Sequence, residues 1–546
     1  MDTSPGREAN IDVIRALEKQ IQEGKGDIIK LKRTRNSLLN ISTRVPPEIL
    51  GYIFVWSLVR LLHPQILFAG LRRGSYNFLL VCHHWFEVAS CTSELWSFWG
   101  NTLRDWKNRH HRSRTSPLDL VLSRFKRDEN AFDASLQDAV RSRVVQDTVR
   151  QVHLTSNDGD TITRIISSLT PDDEGGQNKN IESIALRIRR SLVDVSTFFA
   201  RSHLSKLRSL DLSGNLRISS WDDLASRTTL LTTLSLRLSG FSLAPTITTP
   251  QLFSILTSNP NLQQLTLHDV ALPNDTDGFE FQVPLRELQD LSLRGKFRRP
   301  FGLMRQLTLP EKLHSMDLTG YNSTAEDVSR TFVPYMRDYF RRDTRFQSRL
   351  RISAFSVFGS ISISANTVRT QDLAPAQNSP FAAFRVVLAN ELPDVLKKLT
   401  LDLITLVPQE HVVCLSANLG VNPPEELLFA MPNIETLTLF NVELSEGFLQ
   451  PDPYGPRANK KLLPSLQSLH LEDVTLKDGD WGHLPTYLAH QTSDNQTIAF
   501  QISGNSPYML PGVVNEVEGL VKRFAYHRNS EDSESPYSSG YSTNEE

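Results

Sequence analysis

Cysteine is scarce in this chain: Cys82, Cys91 and Cys414 are three residues in 546. So few thiols cannot staple a chain of this length, which excludes a disulfide scaffold and points to a reducing compartment. A long apolar run is missing as well. The most apolar stretch, Tyr52 to Leu62, carries Arg60 and ends at His63-Pro64, about half the length of a membrane span. The opening MDTSPGREANID is polar and acidic where a signal peptide needs a basic and then an apolar run. A soluble protein of the cytoplasm or nucleus, without a membrane partner, is therefore expected. Charge of one sign is lacking too, since 59 basic and 61 acidic side chains leave −2 overall. That balance does not indicate a strongly basic nucleic-acid binder.

What is present is enough apolar material, 39% of residues, to bury more than one domain core. The charge is also unevenly placed. Residues 1–116 carry a net of +7 and the rest a net of −9, which suggests two parts with different partners. Ile14, Leu17, Ile21, Ile28, Leu31 and Leu38 lie on a heptad seam, so residues 8–40 read as a helix. Gly24, Gly26 and Arg35 interrupt the seam. Two readings stay open, a coiled-coil dimer or a helix packed on its own chain.

From 41 to 100 the chain reads as a small all-α module. Ser42 or Thr43 can cap a helix, Pro46 and Pro47 suit its first turn and Glu48 favours its dipole. Ile49, Leu50, Ile53, Phe54 and Leu58 follow at helical spacing. Further helical runs start at Phe78 and Glu94. Sixty residues bury little by themselves, so part of this apolar surface is expected to wait for a partner.

Three linked motifs carry a family resemblance. They are Val45-Pro46-Pro47-Glu48-Ile49-Leu50-Gly51-Tyr52-Ile53-Phe54, then Leu80-Val81-Cys82-His83-His84-Trp85, then Leu95-Trp96. In this order the segment resembles the F-box family, with a layout similar to F-box-like proteins of fungi. Val45 stands where leucine is usual, His83 where a basic residue is usual, and the middle loop is long. The resemblance implies docking on the linker subunit of a cullin–RING ubiquitin ligase. By the same resemblance Pro46, Glu48, Ile49, Ile53, Phe54, Leu80, Val81, Cys82 and Trp85 carry that interface, a helical apolar face offered to a helical groove. The other reading makes each of them helix core.

Residues 101–116 are basic and read either as a solvated linker or as an anion contact with Trp106 stacking beside it. Beyond them, Ser116 to Leu122 alternates like a first strand, and the pattern L-x-x-L-x-L then recurs ten times. Its copies start at Val149, Ile181, Leu207, Leu231, Leu262, Leu288, Leu313, Leu396, Ile434 and Leu466. Most steps lie near the roughly 20–29 residues of a leucine-rich repeat, so 117–527 looks like an irregular leucine-rich-repeat solenoid. The 83-residue step after Leu313 is expected to hold one or two degenerate repeats plus a loop excursion across 321–390. The Ser-rich, acidic tail 528–546 is expected to be disordered.

In each copy the fourth and sixth residues should point inward and the third, fifth and seventh outward. Seventh positions include Arg187, Arg237, His268, Arg294, Asp402, Phe440 and Glu472. The expectation is a concave substrate-binding column, basic at first, that suits an acidic or phosphorylated protein segment. No phosphate-cradling glycine loop, G-x-S-x-G elbow or H-E-x-x-H motif occurs, and the cysteine spacing does not suit zinc. The fold expected is α/β: an N-terminal helix and a small all-α F-box-like module, then an irregular solenoid with a parallel sheet. The function expected is a non-enzymatic adaptor without cofactor or metal. A binding scaffold without a ubiquitin role, or a nucleic-acid binder using 101–116, are the alternatives.

Overall fold

A computed structural model describes residues 16, 19–20, 22–30, 45–61, 77–99, 112–113, 116–123, 140–141, 143–170, 180–219, 221–238, 247–270, 282–296, 298–311, 313–321, 328–342, 350–357, 360–367, 384–389, 402, 404–418, 428, 430–444, 463–476, 481–492, 498–504, 509 and 511–528. The loop 62–76, most of 101–116, the repeat copy 396–401 and the tail lie outside them. The chain forms two compact units, residues 1–233 with 237–245, and residues 234–236 with 246–546. Together they give a mixed α/β fold whose strands are mostly parallel.

The first unit begins with residues 22–30, which are helical and exposed, Ile28 and Ile29 by half or more. The all-α module follows as α1 (Pro47–Leu61), a 3-10 turn (Asn77–Leu80), α2 (His83–Cys91) and α3 (Ser93–Trp96). Helix α1 starts on the Pro46-Pro47 pair, where a missing N–H costs nothing, and Leu50 N–H donates to the Pro46 carbonyl at 3.0 Å. Gly51 lets it approach α2 and α3: a Cβ there would lie 2.7 Å from Thr92 Oγ1. Strands β1 (Phe98–Trp99), β2 (Leu118–Ser123), β3 (Val149–Ser156), β4 (Ser183–Asp194) and β5 (Ser209–Arg217) then pair in succession, all parallel.

The change of charge near residue 116 does not mark a structural break. Strand β1 pairs with β2 across it, Ser116 Oγ donates to Ser93 Oγ at 2.8 Å, and Arg112 stacks over the Trp96 ring at 4.4 Å. Of the basic stretch, Arg112 is thus engaged with the module itself by a cation–π contact; Trp106 lies outside the described residues.

The solenoid strands obey the expected period of two. In β5, Leu210 and Leu212 are fully buried while Asp211 and Ser213 face outward. Helices cover the apolar side: α4 (Arg143–Thr148), α5 (Gly159–Leu169), α6 (Ser196–Arg201) and α7 (Trp221–Arg227). Strand β4 bulges between Ile188 and Val193. Opposite the bulge Gly214 has φ +99°, and a Cβ there would fall 1.6 Å from the Ile188 carbonyl oxygen, so only glycine fits. Strand β6 (Thr233–Leu238) has residues in both units.

In the second unit α8 (Thr249–Ser258) is held by a capping box, Thr248 with Gln251. After it come β7 (Gln264–His268), β8 (Val283–Pro284), β9 (Asp290–Lys296), α9 (Arg298–Gln306), β10 (Leu307–Thr308) and β11 (Ser315–Tyr321). A π-helical turn (Val328–Phe332) leads into α10 (Val333–Arg342). Strands β12 (Leu350–Val357), β13 (Ser360–Thr367) and β14 (Phe384–Ala389) occupy the long step, and β15 (Val412–Asn418) follows it.

Here the expectation of degenerate repeats needs correction. The spatial order is β11, β14, β13, β12, β15, with β13 antiparallel to both neighbours. The chain skips ahead to β12, returns through two antiparallel pairings to reach β11, and then resumes the parallel array. Antiparallel neighbours need only a short turn, and β12 and β13 are two residues apart in sequence.

The array continues with β16 (Thr436–Phe440), β17 (Glu443–Leu444), β18 (Ser468–Glu472), β19 (Thr475–Leu476), α11 (Leu484–Thr492), β20 (Ala499–Gly504), α12 (Pro511–Leu520) and β21 (Arg523–Arg528). Nine of the ten sequence copies thus contain described strands; the copy at 396–401 lies outside the described residues.

Candidate functional site

On α1 the apolar residues divide cleanly. Leu50 and Phe54 enter a core with Val88, Ala89, Leu95 and Trp96. Phe54 stacks on Phe78 at 4.7 Å and meets Trp85 at 5.0 Å. One residue round the helix, Ile49, Tyr52, Ile53 and Trp56 are exposed, Ile53 by 48%. Their spacing of three, one and three places them on a single face. Leu80 and Val81, at the entry to α2, are exposed by 84% and 55%, and Phe86 is exposed on α2. The helix-core reading therefore fails for Ile49, Ile53, Leu80 and Val81, because the core is complete without them.

Other residues of the expected docking set need correction in the opposite sense. Phe54 is 2% exposed and Trp85 packs against the same core, so both support the face from beneath. Cys82 is a helix cap: its Sγ accepts from the Trp85 N–H at 3.5 Å. Cys91 is exposed rather than core, and Cys414 is buried. Pro46 and Glu48 are exposed at the start of α1. Among the described residues no group of three His, Cys, Asp or Glu side chains could hold a metal ion. No described helix is long and apolar enough to cross a membrane.

The concave positions stand in the expected register. Thr155, Arg187 and Ser213 are partners across β3, β4 and β5 in the first unit. His268, Arg294 and Thr319 are partners across β7, β9 and β11 in the second, as are Phe440 and Glu472. Arg237 is exposed on β6. Asp402 belongs to no described strand; it accepts a hydrogen bond from Ser329 Oγ at 2.7 Å, which corrects its place in the column.

The basic start of the column is in part neutralised, because counter-charges come from positions other than the seventh. Arg187 donates to Asp211 Oδ2 at 2.7 Å, and Asp211 holds the fifth place of the next copy. Arg294 Nε lies 3.7 Å from Asp269 Oδ2, while the Tyr321 hydroxyl donates to the other Asp269 oxygen. His268 bonds Ser292 Oγ at 2.8 Å. Beneath Arg187, His153 bonds Ser183 Oγ at 3.0 Å, and burial pushes its imidazole down to about 4, with Asp211 drawing it up and Arg187 pushing it down. Arg150 and Asp119 form a two-bond pair at 2.8 and 3.1 Å. Burial nevertheless raises the Asp119 carboxyl above its usual range.

One repeated feature escaped the pattern search. Asp269, Asn441 and Asp473 all have φ near +50°, the left-handed region that Asp and Asn tolerate. Each N–H donates to the carbonyl at the end of the next strand, at 2.8, 2.8 and 3.0 Å. The following Val270, Val442 and Val474 are buried. The signal was legible as a shared (Asp/Asn)-Val-x-Leu directly after the copies at Leu262, Ile434 and Leu466.

No protein-family model matches the chain, and no curated protein does. Among solved structures, an internalin from Listeria monocytogenes str. 4b F2365 aligns at 13% identity and a TM-score of 0.30, over 70% of this chain and 81% of that one. At that score the likeness bears no weight.

Proposed function

We propose that the chain is a non-enzymatic substrate-recognition adaptor of a cullin–RING ubiquitin ligase, acting in the cytoplasm or nucleus. The helical module docks on the linker subunit and the solenoid holds a protein. The observation that supports this reading is the exposed face of Ile49, Tyr52, Ile53 and Trp56, with Leu80 and Val81, on a module whose core is filled by other residues. Exposed apolar clusters of this kind mark association surfaces. The F-box-like motifs name the partner.

The solenoid partner is an acidic or phosphorylated protein segment. Arg294 and Lys296, two residues apart on one face of β9, are both exposed, and Arg294 keeps only a loose contact with Asp269. Guanidinium and ammonium groups so placed can take a phosphate or carboxylate. Arg187, tied to Asp211, is the weaker candidate.

Tagged linker subunit should retain the purified full chain through repeated washing. A chain that captures proteins through its solenoid yet never retains the linker subunit would instead be a plain interaction scaffold, the second reading that the same solenoid supports.

A further inference from the structure

The whole-chain balance of −2 hides a dense basic patch on two helices of the second unit. Helix α9 and the segment from the π-helical turn through α10 contain seven arginines, one aspartate and no lysine. The Tyr335 hydroxyl donates to the Met304 carbonyl at 3.2 Å, which brings α10 against α9. Arg305, Arg330, Arg337, Arg341 and Arg342 are exposed. Arg305, Arg337 and Arg341 make no ion pair or hydrogen bond with any described residue. Arg342 Nε donates to the Asp338 carbonyl, not to its carboxylate.

Folding does not account for this arrangement. A helix dipole welcomes one cation at each C-terminus, which covers Arg305 and one of Arg341 and Arg342. It disfavours Arg298 and Arg299 in the first turn of α9, where no acidic residue is found. Arg337 and Arg341 stand four apart, a like-charge spacing that weakens a helix. The choice of arginine alone also matters, since its planar fork suits phosphate oxygens better than an ammonium does.

We propose that this arginine row binds the phosphodiester backbone of a nucleic-acid duplex without reading its sequence. Arg337 and Arg341 share a helix face with Arg330 one and a half turns or more upstream. Such a row meets a continuous line of anions rather than a single one, and a duplex carries about one charge per 1.7 Å of its axis. Among the described side chains of α9 and α10 no large apolar one is exposed, which gives no support to insertion into a membrane interface. Of the described aromatic residues on these helices, Tyr339 and Phe340 are buried and Tyr335 is half-buried, so the arginines rather than aromatic rings dominate the described exposed surface. None of these arginines belongs to the docking set or to β9, and the proposal goes beyond the adaptor reading.

The test is fluorescence anisotropy of the full chain with labelled DNA and RNA duplexes of one mixed sequence, across a salt series. With five arginines engaged, affinity should fall roughly 500-fold between about 50 and 200 mM salt. Arg337→Glu with Arg341→Glu should weaken binding at least tenfold and flatten the log–log salt slope by about 1.8. Arg109→Glu with Arg114→Glu, in the other basic stretch, should leave both unchanged. A thermal melt checks the fold, and Arg337→Gln with Arg341→Gln serves if the reversal unfolds the chain. Equal loss of DNA and RNA binding supports backbone contact. Absence of duplex binding at low salt, binding indifferent to Arg337 and Arg341, or capture of phosphatidylserine vesicles in place of duplexes would each overturn the proposal.

Discussion

The outer face of the helical module and the outward face of the parallel strands both meet solvent, but they meet it in opposite states. On the module, Ile53 and Leu80 stand exposed by 48% and 84%. On the solenoid, Arg187 is already answered by Asp211 and Arg150 by Asp119. Apolar surface in water gains free energy when a partner covers it, by about 25 cal/mol per Å². A paired guanidinium gains less from a new partner, since the existing contact must be given up. The module's face is therefore the stronger argument for association, and the solenoid's face must be judged residue by residue.

The largest expected effect separates the module's face from its core. Phe54→Ala should cost about 3–5 kcal/mol of stability, because it removes a buried ring stacked on Phe78 and packed against Trp85. Ile53→Asp with Leu80→Asp should leave urea denaturation within about 0.5 kcal/mol of the parent at each site, as surface changes do. Equal destabilisation by both would erase the distinction on which the comparison rests.

Next in size is the concave face at low pH. The folded His153 titrates near 4, below the 6.5 of the unfolded chain, so folding favours its neutral form. Stability from this group is complete above pH 6.5 and lost as pH falls toward 4, by up to about 3 kcal/mol. Denaturation curves at several pH values should show the loss, and His153→Gln should flatten it. An identical slope in the variant would mean the imidazole is not the group that titrates.

Much of this fold was readable in the chain. Aliphatic residues at the first, fourth and sixth places located nine strands and set which residues face outward, because successive side chains on a strand point to opposite faces. Strands β20 and β21 escaped because Phe500, Phe524 and Tyr526 take the places where aliphatics were sought. The meander β12–β14 escaped because its reversed strand carries the same alternation as a forward one. The docking set was harder. Ile49, Leu50, Ile53 and Phe54 are equally apolar and neighbours on the helix, and only the position of Phe78 and Trp85 decides that Leu50 and Phe54 go inside. The ion pairs of the concave face were legible in principle, since Asp211 sits two places before the seventh position of its own copy, but reading one column alone concealed it.

The smallest expected effect sharpens the comparison within the solenoid. A double-mutant cycle on Arg187 and Asp211, side chains 29% and 16% exposed at 2.7 Å, should give a coupling of about 1 kcal/mol. The cycle on Arg294 and Asp269, at 3.7 Å and 55% and 34% exposed, should give about 0.3 kcal/mol or less. Thermal or urea melts of the four variants in each cycle measure both. The reverse order would indicate that Arg187, not Arg294, is the side chain free to bind.

The central claim is that the helical module carries a docking face distinct from its core. Titration calorimetry of the full chain with the ligase linker subunit tests it most directly. Ile53→Asp with Leu80→Asp should weaken that association by about 100-fold or more, as loss of two central apolar anchors does, while the melting transition stays in place. Undiminished affinity in a folded double variant would contradict the account.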